Sequence, residues 1–111
     1  MLALALGPAA AEAACAPQDI EIKTWSWNRD AGWFTIAGEL VNHCAEPTGA
    51  QIQFTLRDAA GQVVSVEDAW VGGNRNVRPG ETYSFKLSTR GYATAKDIAI
   101  RVTNVRQWPV R

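Results

Sequence analysis

Five tryptophans in 111 residues set this chain apart, and three of them, Trp25, Trp27 and Trp33, bracket one turn. Large flat rings suit stacking on a sugar, a peptide or a second protein surface. Trp25 and Trp27 fall on the opposite parity from Ile20 and Ile22. Trp33 falls opposite Trp27, or close to it, across the Asn28-Arg29-Asp30-Ala31-Gly32 turn. If the three share an outer face they form an apolar platform. Alternatively, a bulge swings Trp25 or Trp27 into the core, or the Trp108 segment covers them. At least one of the three is expected to be turned in. Trp70 reads as core or sheet edge.

Arg75 and Arg78 flank Asn74, Asn76 and Val77 in a glycine-rich loop. Guanidinium forks and backbone donors there would suit an anionic group, and solvated loop arginines are the competing reading. Arrangements for catalysis are missing. There is no G-x-S-x-G, Walker loop, G-x-G-x-x-G or H-E-x-x-H. One histidine, His43, is all that is available to serve Ser26, Ser65, Ser84 or Ser88 as a base. Asp30 and Asp58 have turn roles that account for them, which leaves no carboxylate pair for glycoside chemistry. His43 and Cys44 lack the further ligands a metal needs. The expectation is a protein that is not an enzyme, with no metal and no cofactor.

The two cysteines, Cys15 and Cys44, are an even pair behind a leader-like N-terminus, so a disulfide is the first expectation. Closing that loop would stabilise the fold by roughly 3–4 kcal/mol in the chain-entropy model. Two free thiols are the alternative. Residues 1–14 read as a signal-peptide remnant: a short apolar run, Gly7-Pro8, then small residues ending in Ala11-Glu12-Ala13. The run is far shorter than the ~20 residues of a membrane span. A lipid on Cys15 is disfavoured, because Glu12 stands where a lipobox carries a leucine-like residue. Residues 15–111 then form one domain, periplasmic or secreted.

The elements that would position these groups have a period of two. Strands are expected over Asp19–Trp27, Trp33–Asn42, Gln51–Arg57, Val63–Val71, Thr82–Ser88 and Ile98–Val105. Gln51–Arg57 is the cleanest, with Ile52, Phe54 and Leu56 on one face. Asp58-Ala59-Ala60-Gly61 reads as a hairpin turn. Gly38 would allow a neighbouring chain or ring to approach closely. Apolar i, i+3, i+4, i+7 spacing is absent over any full window, so no long helix is expected. One-sided alternation between turn signals predicts an all-β, antiparallel immunoglobulin-like β-sandwich of six to seven strands.

The middle of the chain also resembles a known family. Gly38-Glu39-Leu40-Val41-Asn42, Phe54-Thr55-Leu56-Arg57-Asp58, Gly61 and Arg78-Pro79-Gly80-Glu81 with Phe85 resemble the FxLYD-type immunoglobulin-like domain of exported bacterial proteins. Arg57 stands where the family name has Tyr, at an outward-facing position. The resemblance spans roughly residues 34–105. It implies a sandwich fold and export, and no catalytic residues to carry over.

Charge bounds the partners. Eleven basic and eleven acidic residues leave a net charge of zero, which argues against a nucleic-acid binder. Residues 1–71 hold three basic groups against nine acidic ones, while residues 72–111 hold eight against two. Either the halves interleave in the fold or the second makes a basic patch. The functional expectation is a small non-catalytic binding or structural module. It would contact a protein partner through the aromatic hairpin face or a sheet edge, or alternatively a cell-wall glycan through surface tryptophans.

Overall fold

The computed structural model describes residues 15–30, 32–90 and 94–109, so the leader reading of residues 1–14 lies outside the described residues. A short 3-10 turn, Pro17–Asp19, leads into six strands: β1 Ile20–Asp30, β2 Trp33–Asn42, β3 Gly49–Asp58, β4 Val63–Trp70, β5 Thr82–Arg90 and β6 Ala95–Arg106. They pair antiparallel in two sheets of three, ordered β1-β2-β5 and β4-β3-β6. In immunoglobulin terms this corresponds to A-B-E over C′-C-F. The all-β sandwich expected from alternation is what forms.

The layers meet on the inward residues of every strand. Phe34, Ile36 and Leu40 of β2 face Ile52, Phe54 and Leu56 of β3, all of them buried. Each such side chain contributes roughly 1.5–3 kcal/mol through removal from water. Phe85 of β5 and Ile98 of β6 extend the core sideways. Two contacts fix how the sheets stack: β1 lies over β6, where the Arg29 guanidinium donates to the Ala95 carbonyl at 2.8 Å. β5 lies over β4, where the Thr89 hydroxyl donates to Glu67 Oε1 at 2.5 Å.

At one end of the sandwich, the expected disulfide joins Cys15 to Cys44, with Cα atoms 5.6 Å apart. Beside it, the buried Asn42 side chain satisfies three backbone groups. Its Nδ2 donates to the Glu46 carbonyl at 2.9 Å and the Val77 carbonyl at 2.8 Å, and its Oδ1 accepts from the Cys44 N–H at 2.7 Å. Irregular backbone around residues 44–48 and 77 thereby keeps its polar groups paired, together with an isolated antiparallel bridge between Thr48 and Val77. The charge halves interleave: each sheet takes two strands from the acidic stretch and one, β5 or β6, from the basic stretch.

Candidate interaction surface

The tryptophans part company at a bulge. Ile22 pairs with Leu40, but Thr24 pairs with Glu39, so Lys23 is an extra residue in β1. One extra residue reverses the face of everything after it. Trp25 therefore falls opposite Gly38, and Trp27 opposite Ile36, on the inward side. Trp27 is half-buried with its ring edge-on to Phe34, centroids 5.1 Å apart. Trp33 points outward and pairs with Asp30, not with Trp27. A shared three-ring platform does not form, because the bulge separates the first two rings from the third.

Trp25 keeps 37% exposure although its parity is inward. On an edge strand, that combination places it at the rim between the sheets. Gly38 makes room for this arrangement: a Cβ there would collide with the Thr24 carbonyl and lie 2.8 Å from Trp25 Cβ and 3.0 Å from Phe85 Cζ. The close approach expected at Gly38 is thus made by two aromatic residues. Trp33 is 49% exposed on the outer face, with the Arg90 guanidinium 5.9 Å from its ring centre.

Trp70 and Trp108 form a separate cluster. Trp70 closes β4 at the sheet edge and meets Trp108 edge-on at 5.4 Å. The Trp108 indole lies against the bare Cα of Gly49. Arg106 stacks on it at 4.3 Å, and Asn76 grips its backbone twice, at 2.9 and 2.8 Å. Trp108 therefore covers Trp70 and Gly49 and not the β1–β2 hairpin.

Arg75 and Arg78 are brought together around an internal anion, Glu81. Arg75 Nη2 lies 3.5 Å from Glu81 Oε2, with its guanidinium also 4.7 Å over the Tyr83 ring. The Arg78 backbone N–H donates to Glu81 Oε1 at 2.9 Å, and Arg78 Nε stands 3.8 Å from the same oxygen. The backbone hydrogen bond from Arg78, with the two guanidinium charges, holds the Glu81 carboxyl below its ordinary value of 4.5 against a smaller opposing effect of burial. The candidate anion cradle is already engaged by a carboxylate of its own loop. His43 Nε2 sits 2.8 Å from Glu21 Oε1 on the surface, and no group of ligands fit to hold a metal occurs among the described residues.

Side chains outside the sequence-based set distinguish the two rims. At the β4/β5 rim, Glu67 lies opposite Phe54, facing inward, and accepts from Thr89 at 2.5 Å and from Ser65 at 3.3 Å. A charge directed inward on an edge strand discourages pairing with further strands. At the β1/β6 rim, Ile22 and Trp27 of β1 and Ile100 and Val102 of β6 pack against the core, all only partly buried, with Arg29 bridging the sheets at the Ala95 end. That rim is apolar and carries the exposed Trp25.

No family model and no curated protein matches this chain. Among solved structures it is similar to the crystal structure of a DUF1425 family member from Shewanella sp. pv-4. The TM-score is 0.51 at 15% identity, over 83% of this chain and 81% of that one. At that identity the likeness concerns the fold. Among the described residues, no helix is long and apolar enough to cross a membrane.

Proposed function

We propose that this protein is an exported, non-catalytic protein-interaction module that engages its partner along the β1/β6 rim. The observation that carries the reading is the contrast between the rims. Both rims carry half-buried apolar side chains, but one is crossed by the Glu67–Thr89–Ser65 hydrogen bonds, while the other presents the exposed Trp25 beside Ile22, Trp27, Ile100 and Val102. Exposed aromatics next to an apolar seam are what protein interfaces draw on. The disulfide supports an oxidising compartment, and the FxLYD-type resemblance supports both export and the lack of catalysis. A photo-cross-linking residue at position 25 or 100, compared with one at Val66 on the outer face of β4, tests the rim in the exporting cell. Discrete adducts from the rim positions, absent from position 66, are expected. Equal labelling at all three sites would refute the assignment.

A glycan-binding reading rests on Trp33 alone, an exposed ring with Arg90 over it and polar Thr35 and Ser88 beside it in the register. It predicts quenching or a blue shift of tryptophan emission with cell-wall glycans, lost in Trp33→Ala. A flat titration across a glycan panel removes it.

A further inference from the structure

Four strands border the two sheets, and they differ in what they offer a further strand. β1 is regular beyond its bulge at Lys23, from Thr24 to Asp30, but its outward residues there are Thr24, Ser26, Asn28 and Asp30, with no cation to set against the one carboxylate. β4 carries the inward Glu67 and its own register shift next to Arg57. β5 is regular, but its outward charges are Lys86 and Arg90, so a second copy laid against it meets charges of the same sign. β6 is different. Its irregularities lie at its two ends, where Lys96 and Thr103 are extra residues, and they leave Asp97–Val102 regular and hydrogen-bonded on one side, to β3. In an immunoglobulin sandwich this is the side of strand F where strand G would lie.

The residues of that stretch are self-complementary. Ile98, Ile100 and Val102 pair with Leu56, Phe54 and Ile52 and share their inward face, while Asp97, Ala99 and Arg101 face outward. When two such stretches run antiparallel about a two-fold axis at Ala99, Asp97 of each copy falls opposite Arg101 of the other. Ala99 meets Ala99, and Ile98 meets Ile100. Opposite charges facing each other across strands stabilise a pair by roughly 0.2–1 kcal/mol, and like charges oppose it. Other registers lose this match. Shifting by two residues leaves Asp97 opposite Ala99, and parallel in-register pairing sets Asp97 beside Asp97. Within each copy, Asp97 already has Arg57 opposite it on β3, and Arg101 reaches Gln53 Oε1 at 3.3 Å. In the joined sheet, Asp97 would lie between two cations.

We infer that the partner at the β6 edge is a second copy of this chain, paired antiparallel through Asp97–Arg101 to give a closed two-fold dimer with one continuous six-stranded sheet, β4-β3-β6-β6-β3-β4. The pairing is isologous, so it ends at two copies. Arg29 covers the Ala95 end and leaves the regular stretch open. The inference rests on the reading of the β1/β6 rim as an interaction surface and names the occupant of its β6 border.

The test is a charge exchange followed by sedimentation velocity on the disulfide-bonded protein. A short edge interface gives a weak complex, so mass is followed between about 10 µM and about 1 mM. The wild-type protein is expected to move from monomer to dimer mass over that range. Asp97→Arg and Arg101→Asp each set like charges opposite one another twice and should each remain monomeric. A mixture of the two should dimerise, as should the double variant D97R/R101D, because both restore opposite charges. Ala99→Lys, an outward change that leaves the core untouched, should be monomeric with an unchanged melting temperature. A wild-type monomer at all concentrations overturns the inference, and so does a dimer indifferent to the single reversals. Rim-specific cross-links to a different protein in the absence of dimer would sink this inference while leaving the rim reading intact.

Discussion

At the scale of single residues, Glu81 shows how a loop can use up its own recognition chemistry. Arg75 and Arg78 have the composition of an anion site, yet the turn Arg78-Pro79-Gly80-Glu81 closes with the Glu81 N–H donating to the Arg78 carbonyl at 3.0 Å. That brings the carboxylate back onto the Arg78 N–H and both guanidinium groups. The spacing is legible, since a glutamate three residues after an arginine across Pro-Gly is a turn-closing pair, although the same two arginines also have the makings of an anion site. Because the folded protein holds the Glu81 carboxyl below 4.5, the ionised form is favoured by folding. Its contribution is present above the unfolded-state value and lost as pH falls through the folded one. Glu81→Gln should therefore flatten the acid side of the stability curve, with a melting temperature that falls less steeply below about pH 4.5 than in the wild type. Parallel acid limbs for the two proteins would assign acid sensitivity elsewhere.

At the scale of elements, strand positions were readable and strand faces only partly so. All six strands appear close to where alternation puts them, with β1 running on to Asp30 and β5 to Arg90. The bulge at Lys23 was written in the sequence as a change of apolar phase, from Ile20 and Ile22 to Trp25 and Trp27. The same change recurs in β6, from Ile100 and Val102 to Val105, across Thr103. A phase change is ambiguous by itself, because an exposed aromatic face and a bulge give the same pattern. Pairing with Leu40 and Gly38 of β2 resolves it, and pairing is non-local. The disulfide works at this scale too, tying the segment before β1 to the β2–β3 loop across a sequence separation of 29. Replacing both cysteines with serine should cost about 3–4 kcal/mol and lower the urea midpoint by at least about 1 M, with an unchanged strand signature in circular dichroism. An unaltered midpoint would mean that the Asn42 hydrogen bonds hold that end unaided.

At the scale of the whole molecule, which strands border the sheets decides where the protein can meet another. Sequence gave no access to this, because each sheet joins strands far apart in the chain. Glu67 illustrates the consequence. Read along β4, it is one polar residue in a short strand. Read across the layers, it is a carboxylate directed between the sheets beside Phe54, taking hydrogen bonds from Thr89 and Ser65. A carboxylate at that position limits how much apolar surface the β4/β5 rim can show to a passing strand. Replacing Glu67 with valine alone would strand the Thr89 hydroxyl, a group on a residue only 3% exposed, at a cost of roughly 1–3 kcal/mol. The double replacement E67V/T89V removes the buried donor and the acceptor together and leaves only the part-buried Ser65 hydroxyl to turn to water, so stability should be close to that of the wild type. The rim it creates has lost its inward charge and keeps only Ser65 as a polar inward residue between Val64 and Ala69, and the β4 edge should then recruit further copies. Light scattering should show growth beyond dimer mass at concentrations where the wild-type protein stays at dimer or below. If the double variant melts like the wild type and gains no mass, Glu67 is a packing detail, and the difference between the two rims does not govern association.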